Sequence, residues 1–210
     1  GGTNYAYGNA KTCAISGVTS SVPDMCDQIT QYLTTVSNKA NPNALYVIDS
    51  SAVGNEITQV LGGAATSNQI TTTAPTNVIN MLQALYTAGA RRFLIANVPD
   101  VGATPLVQGY GATAAATATS LSGGFNLALE NALNNFTITN PSAVVYKADF
   151  YGTLSKVKTA PSAYGISNTT DACQVGGVIC SSPNSYLYWD NFHPTKAVGS
   201  IVSSYVLGLI

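Results

Sequence analysis

Asp190 and His193 stand three residues apart, and Pro194 follows the histidine directly. His193 is the only histidine in the chain. A proline fixes its own φ and biases the residue before it towards extended or turn conformations. The spacing therefore predicts a tight loop ahead of a final helix, with the two side chains turned towards each other. A carboxylate that accepts from Nδ1 of an imidazole sets its tautomer and leaves Nε2 free as a general base. The same spacing also fits a structural histidine capped by a loop aspartate.

Other residues could do chemistry, each with a plainer reading beside it. Glu56 and Asp100 suggest a carboxylate pair, or each is a helix cap or a solvated loop charge. Tyr186, Tyr188 and Trp189 could line an acyl pocket, or pack the last loop on the sheet. Gly62-Gly63 and Gly123-Gly124 lack the strand-to-helix context of a phosphate loop. No cofactor is expected. No metal is expected either, because no cysteine pair has the short gap of a zinc knuckle and there is one histidine in all.

The elements that must position these groups can be read from apolar periodicity. Residues 44–48, 91–98 and 143–149 contain continuous apolar runs of strand length, the pattern of parallel strands buried on both faces. Residues 3–7 alternate polar and aromatic side chains, which predicts a short strand. Helices are predicted from Ser21-Val22-Pro23-Asp24 onwards, over 74–88, over about 122–136, over 150–157 and over 197–209. Residues 109–119, rich in Gly, Ala and Thr, are expected to form a mobile loop, and residues 159–186 a long loop. Alternating strands and amphipathic helices argue a doubly wound α/β fold. In such sheets active groups gather beyond the carboxyl ends of the strands, where residues 49–56, 99–104 and 190–193 would lie.

The chain has 210 residues, enough for one domain with a full core. Only 8% of residues are charged and the net charge is -1, which gives no basic face for nucleic acid and no polybasic membrane anchor. No apolar run is long enough to span a bilayer. Cys13 and Cys26 lie close together in loop-like sequence, as do Cys173 and Cys180. Two local disulfides are expected, and with them an oxidising, extracellular compartment. The triplets Asn135-Phe136-Thr137 and Asn168-Thr169-Thr170 fit the glycosylation sequon.

Taken together, these pieces resemble the GDSL, or SGNH, lipases and esterases over nearly the whole chain. Gly2-Thr3-Asn4-Tyr5-Ala6-Tyr7-Gly8-Asn9-Ala10 is similar to the family's second block, which lends a backbone N–H to the oxyanion hole. Ala44-Leu45-Tyr46-Val47 followed by Gly54-Asn55-Glu56 is similar to the third block, whose asparagine is another oxyanion donor. Residues 89–105 and 163–173 also resemble family stretches. Tyr188-Trp189-Asp190 to His193-Pro194-Thr195 matches the last block. The resemblance implies a flavodoxin-like, three-layer α/β/α fold with a parallel sheet. It implies His193 as general base, Asp190 as its orienting acid, and Asn55 and Gly8 as oxyanion donors. Asn9 stands where members usually have a second glycine.

The implied function is a secreted carboxylic-ester hydrolase (lipase, esterase or phospholipase) acting on lipid or aryl esters by a Ser/His/Asp mechanism, with acyl transfer as a variant. The family's first block, a strand ending in Gly-Asp-Ser, occurs nowhere in the 210 residues. Residues 1–210 are thus expected to be one SGNH-like domain missing its N-terminal strand and nucleophile. That strand would be supplied by an N-terminal fragment of the same precursor, probed by the prediction that the chain by itself is inactive. Two alternatives stay open. The chain could be an inactive binding protein for lipid or glycan. Or Ser50, which follows a buried strand in Ile48-Asp49-Ser50, could replace the nucleophile.

Overall fold

The computed structural model describes residues 3–210, so Gly2 of the second block lies outside the described residues. Three apolar runs form the parallel strands β1 (Leu45–Asp49), β2 (Arg92–Ala96) and β3 (Val144–Ala148). They lie side by side in that order, with Leu45 opposite Arg92 and Arg92 opposite Val144. β2 is the middle strand, and Phe93, Leu94, Ile95 and Ala96 are all buried. Both of its faces are covered, so its sequence is continuously apolar rather than alternating.

Parallel neighbours need crossover connections. The α-helices among the described residues are α1 (Met25–Thr35), α2 (Val53–Leu61), α3 (Ala74–Thr87), α4 (Pro105–Gln108), α5 (Ala112–Thr139), α6 (Phe150–Thr159) and α7 (Lys196–Leu207). Ile48, Phe93 and Ile95 point into a core shared with α2, α3 and α5 through Ile57, Leu82, Leu85, Phe125 and Leu129. Leu94, Ala96 and Ala148 point the other way, against Phe150, Tyr205 and Val206 of α6 and α7. The result is a three-layer α/β/α arrangement around a parallel sheet.

Three sequence expectations need correction. Residues 109–119 are not a mobile loop: the chain turns at Gly111 and α5 is already under way at Ala112. Five alanines between residues 112 and 118 favour helix over the Gly and Thr beside them. Their small side chains also admit close packing, since a Cβ on Gly102 would collide with the Ala115 carbonyl and the Thr119 hydroxyl. Only glycine fits there.

Residues 3–7 form no strand. Tyr5 packs edge-on against Tyr32 of α1, which in turn meets Tyr46 of β1. That stack draws the segment onto the helix instead of into the ladder. Among the described residues, the outer edge of β1 therefore has no partner strand, and Val47 is 64% exposed.

Residues 159–186 are more than loop. They hold β4 (Asn168–Ala172), which pairs in parallel with β7 (Tyr186–Tyr188), and a small hairpin of β5 (Gln174–Val175) and β6 (Val178–Ile179). These short polar strands carry no apolar alternation to betray them. α2 was also hidden, because it opens inside the polar run 49–56.

Both cysteine pairs are bonded. Cys13–Cys26 ties the N-terminal segment to the first turn of α1, and Cys173–Cys180 closes the hairpin, with Cα separations of 5.2 and 4.9 Å. Closing a loop of about 15 residues contributes ~3 kcal/mol in the chain-entropy model. No helix among the described residues is long and apolar enough to cross a membrane.

Candidate active site

The last block folds as a closed loop on top of the sheet. Tyr188 ends β7, and its hydroxyl donates to the Ala103 carbonyl (3.0 Å). The Trp189 N–H donates to the His193 carbonyl (2.8 Å), and the Leu106 N–H of α4 to the Asn191 carbonyl (2.8 Å). Thr195 then starts α7: its hydroxyl accepts from the Val198 N–H (3.4 Å) and donates to the Tyr186 carbonyl (2.7 Å). The threonine of the motif is thus a helix cap and a clamp on β7.

Inside this loop His193 Nδ1 meets both Asp190 oxygens, Oδ2 at 2.9 Å and Oδ1 at 3.1 Å. Oδ1 also accepts the N–H groups of His193 (2.7 Å) and Phe192 (2.8 Å). Burial pushes the Asp190 carboxyl up, but those N–H groups and the imidazole outweigh it and hold the group below its ordinary value. The carboxylate is therefore ionised and anchored from three sides. The imidazole itself is 68% exposed, with Nε2 on the side away from the carboxylate.

α2 brings the third block to this loop. A Cβ on Gly54 would stand 3.1 Å from the tip of the Phe192 ring, so glycine lets the ring approach the helix closely. Asn55, next along, donates from Nδ2 to the Ala10 carbonyl (2.9 Å), across 45 positions of sequence. Gly8 lies exposed in the turn that precedes Ala10. Asn9 in that turn has φ +64°, a left-handed conformation that asparagine tolerates better than other non-glycine residues. This explains how Asn9 can occupy a glycine position.

Glu56 was read as a cap or a solvated charge, and it is neither. It is fully buried, and its oxygens accept from the Thr12 N–H (2.6 Å) and from Gln69 Nε2 (3.0 Å). Asn55 and Glu56 together grip the 10–12 segment at one carbonyl and one N–H, as a neighbouring strand would. Lys11 and Asp24 add a buried ion pair (3.3 Å) to the same segment. Only the folded chain brings Thr12 and Gln69 to the glutamate, so no local signal could announce it.

Burial dominates at Glu56 and pushes its carboxyl above the ordinary value, against the two hydrogen bonds. The native state then holds this proton more tightly than the unfolded chain does. The contribution of Glu56 to stability is greatest below the unfolded pKa and is lost as pH rises through the raised folded pKa. Glu56→Gln cannot ionise and should remove that loss. Urea midpoints of the two proteins from about pH 4 to about pH 8 should diverge in favour of the variant as pH rises. Parallel curves would show that Glu56 does not titrate in this way.

Beside His193 lies a cavity of about 350 Å³. Phe150, Tyr151, Leu154 and Lys158 of α6 line it, together with Leu187 and Phe192. Asp49 and Ser51 line it; Ser50 does not. The Ser50 side chain is fully buried and its hydroxyl has no hydrogen-bond partner. Of the three aromatic residues singled out in the last loop, Tyr188 lines the cavity. Burial, with the Asp100 charge adding to it, raises the phenols of both Tyr188 and Tyr151. Asp100 itself lines the cavity and accepts from the Thr119 hydroxyl (2.7 Å). The α6 wall was missed by sequence reading, although the apolar positions Phe150 and Leu154 stand at helical spacing.

This is a helix–sheet–helix protein with an aspartate–histidine pair, an asparagine donor and an apolar cavity beyond the strand ends, the place where such sheets hold their active groups. It belongs to the GDSL-like Lipase/Acylhydrolase family, whose model it matches over residues 2–206. It is 30% identical to GDSL esterase/lipase At1g06990 of Arabidopsis thaliana, over 60% of this chain and 40% of that protein. It is 25% identical to Lipase 1 of Photorhabdus luminescens, over 100% of this chain and 42% of that protein. GDSL esterase/lipase At1g29660 of Arabidopsis thaliana is 29% identical, over 59% and 38% respectively. The chain thus spans about two fifths of the length of the curated relatives it matches.

Proposed function

We propose that the protein is a secreted carboxylic-ester hydrolase, acting on lipid or aryl esters by a Ser/His/Asp mechanism. The observation that carries this reading is the His193–Asp190 pair, with the carboxylate on Nδ1 of an exposed imidazole that lines the cavity. Family membership and relatives named as esterases and lipases support it. The two disulfides support an oxidising compartment.

In this reading Asp190 keeps the Nδ1–H tautomer and stabilises the imidazolium. Nε2 of His193 takes the proton from a serine hydroxyl as its Oγ bonds to the ester carbonyl carbon. The developing oxyanion receives the Gly8 N–H and the second N–H of the Asn55 amide, the first being held by Ala10. His193 returns its proton to the alkoxy oxygen as the C–O bond breaks and alcohol leaves. Water then repeats the sequence on the acyl-enzyme; an alcohol in its place would make the reaction acyl transfer. Every step is a proton shift or an acyl transfer, so no cofactor is called for.

The serine belongs on a parallel strand at the free edge of β1, carried by a segment outside these 210 residues. Residues 1–210 with that strand form one catalytic domain. Ser50 is unsuited to the role, because its hydroxyl is sealed in the interior. The test is hydrolysis of short p-nitrophenyl esters by residues 1–210 alone and by protein that also contains a Gly-Asp-Ser strand. Turnover is expected only with the strand. Turnover by residues 1–210 that survives Ser50→Ala would mean a different nucleophile. No turnover in either form, with lipid still bound in the cavity, would favour an inactive binding protein.

A further inference from the structure

The β5–β6 hairpin presents Val175, Val178 and Ile179 to solvent at 62, 73 and 54% exposure. Loose packing is not the reason. Gly176 and Gly177 both have positive φ (58° and 86°), the turn geometry that suits a tight two-residue hairpin. The Cys173–Cys180 bond closes its base. The Gln174 N–H donates to the Trp189 carbonyl (2.6 Å) and the Cys173 N–H to the Tyr188 carbonyl (3.1 Å). The hairpin is thus fastened to the loop that holds Asp190 and His193, and a shallow depression joins Val175 to Phe192 and His193.

We infer that this hairpin is a docking device that inserts into a lipid surface and sets the His193 cavity mouth against it. Three observations choose lipid as the occupant. Val175 pairs with Val178 on one face of the hairpin, while Ile179 pairs with Gln174 on the other. Aliphatic side chains are therefore exposed on both faces, with Gln174 the one polar side chain of the hairpin, an arrangement that a flat protein surface cannot cover but an acyl layer surrounding the hairpin can. No charged residue lies between Asp171 and Asp190, so nothing there seeks an ionic partner or resists burial. The patch also adjoins the candidate catalytic pair, whereas exposed Leu127 and Ile138 stand on α5. The choice of lipid rests on the ester-hydrolase reading; the binding test does not depend on turnover.

The chain's single tryptophan, Trp189, reports on the hairpin through its backbone bond to Gln174. The full chain, with disulfides intact, is sedimented with phosphatidylcholine vesicles, and Trp189 fluorescence is followed with brominated lipid as quencher. Binding and quenching are expected, and they should persist in high salt because no charge pairing is involved. The variant Val175→Ser/Val178→Ser/Ile179→Ser should lose binding by at least ~10-fold, while Leu127→Ser/Ile138→Ser should bind as the parent does. Near-UV circular dichroism checks that both variants are folded. Absence of vesicle binding by the parent, equal binding by the hairpin variant, or binding abolished by salt would overturn the inference. So would a dimer of the parent in sedimentation velocity that the hairpin variant dissolves, since the hairpin would then join two copies. Soluble p-nitrophenyl acetate separates the two readings in serine-bearing protein. Lost turnover with vesicle binding intact counts against the hydrolase and supports the docking. Intact turnover without vesicle binding does the reverse.

Discussion

In protein that contains its serine, His193→Ala should lower kcat for ester hydrolysis on the order of 10⁶-fold, and Asp190→Asn ~10⁴-fold. The two losses have different causes. Alanine at 193 leaves no base for the serine proton. Asparagine at 190 keeps nearly the same shape, and its carbonyl can still accept the N–H groups of Phe192 and His193 that Oδ1 accepts now. What it loses is the charge facing Nδ1 and the tautomer that charge imposes. An asparagine NH₂ beside Nδ1 favours the imidazole with its proton on Nε2, which cannot act as a base. The aspartate is held below its ordinary pKa, so its support of the loop is complete above the unfolded pKa and is lost only as pH falls through the lower folded value. Asp190 thus remains charged in mildly acidic solution. Steady-state kinetics on a p-nitrophenyl ester, with circular dichroism to verify folding, checks both values. Asp190→Asn activity within a few-fold of the parent would remove Asp190 from the mechanism.

A strand added at the outer edge of β1 should raise the melting temperature of residues 1–210 on the order of 10 °C. The sheet ends at β1 with its outer N–H and C=O groups unpaired by any described strand, and with Val47 largely in solvent. Such an edge is an aggregation hazard. A further strand would pair those groups and cover Val47 and its neighbours. Burying two or three aliphatic side chains contributes about 3–6 kcal/mol, against a total stability of only ~5–15 kcal/mol. Calorimetry with and without the serine-bearing segment measures the shift. Amide hydrogen exchange locates it: protection should rise across residues 45–49 and little elsewhere. An unchanged melting temperature, or protection that rises at β3 in place of β1, would rule out this edge as the serine strand's seat.

The parts of this molecule legible in its sequence are those held by short-range forces. The three strands announced themselves because a strand covered on both faces has no solvent side to mark. The cysteine pairs were readable because each bridges neighbouring loop residues. Asp190 and His193 were readable because three residues and a proline suffice to turn one side chain to the other. Where neighbouring cues conflicted, the reading failed. The Gly and Thr of residues 109–119 hid a helix whose alanines pack against Gly102. The aromatics of residues 3–7 mimicked a strand, yet they stack on α1.

By itself, the sequence determined the aspartate–histidine pair, both disulfides, the parallel α/β plan and membership in a family of esterases and lipases. Tertiary structure alone decided that Glu56 is buried against Thr12 and Gln69, that Asn55 holds Ala10, that Phe192 lies on Gly54, and that α6 walls the cavity. The Asn55–Ala10 bond crosses 45 positions, and the Tyr188–Ala103 bond crosses 85. Partners so far apart have no local pattern to encode them. They meet only after hydrophobic burial has brought the layers together, and the meaning of a glutamate or a glycine then depends on what the fold has set beside it.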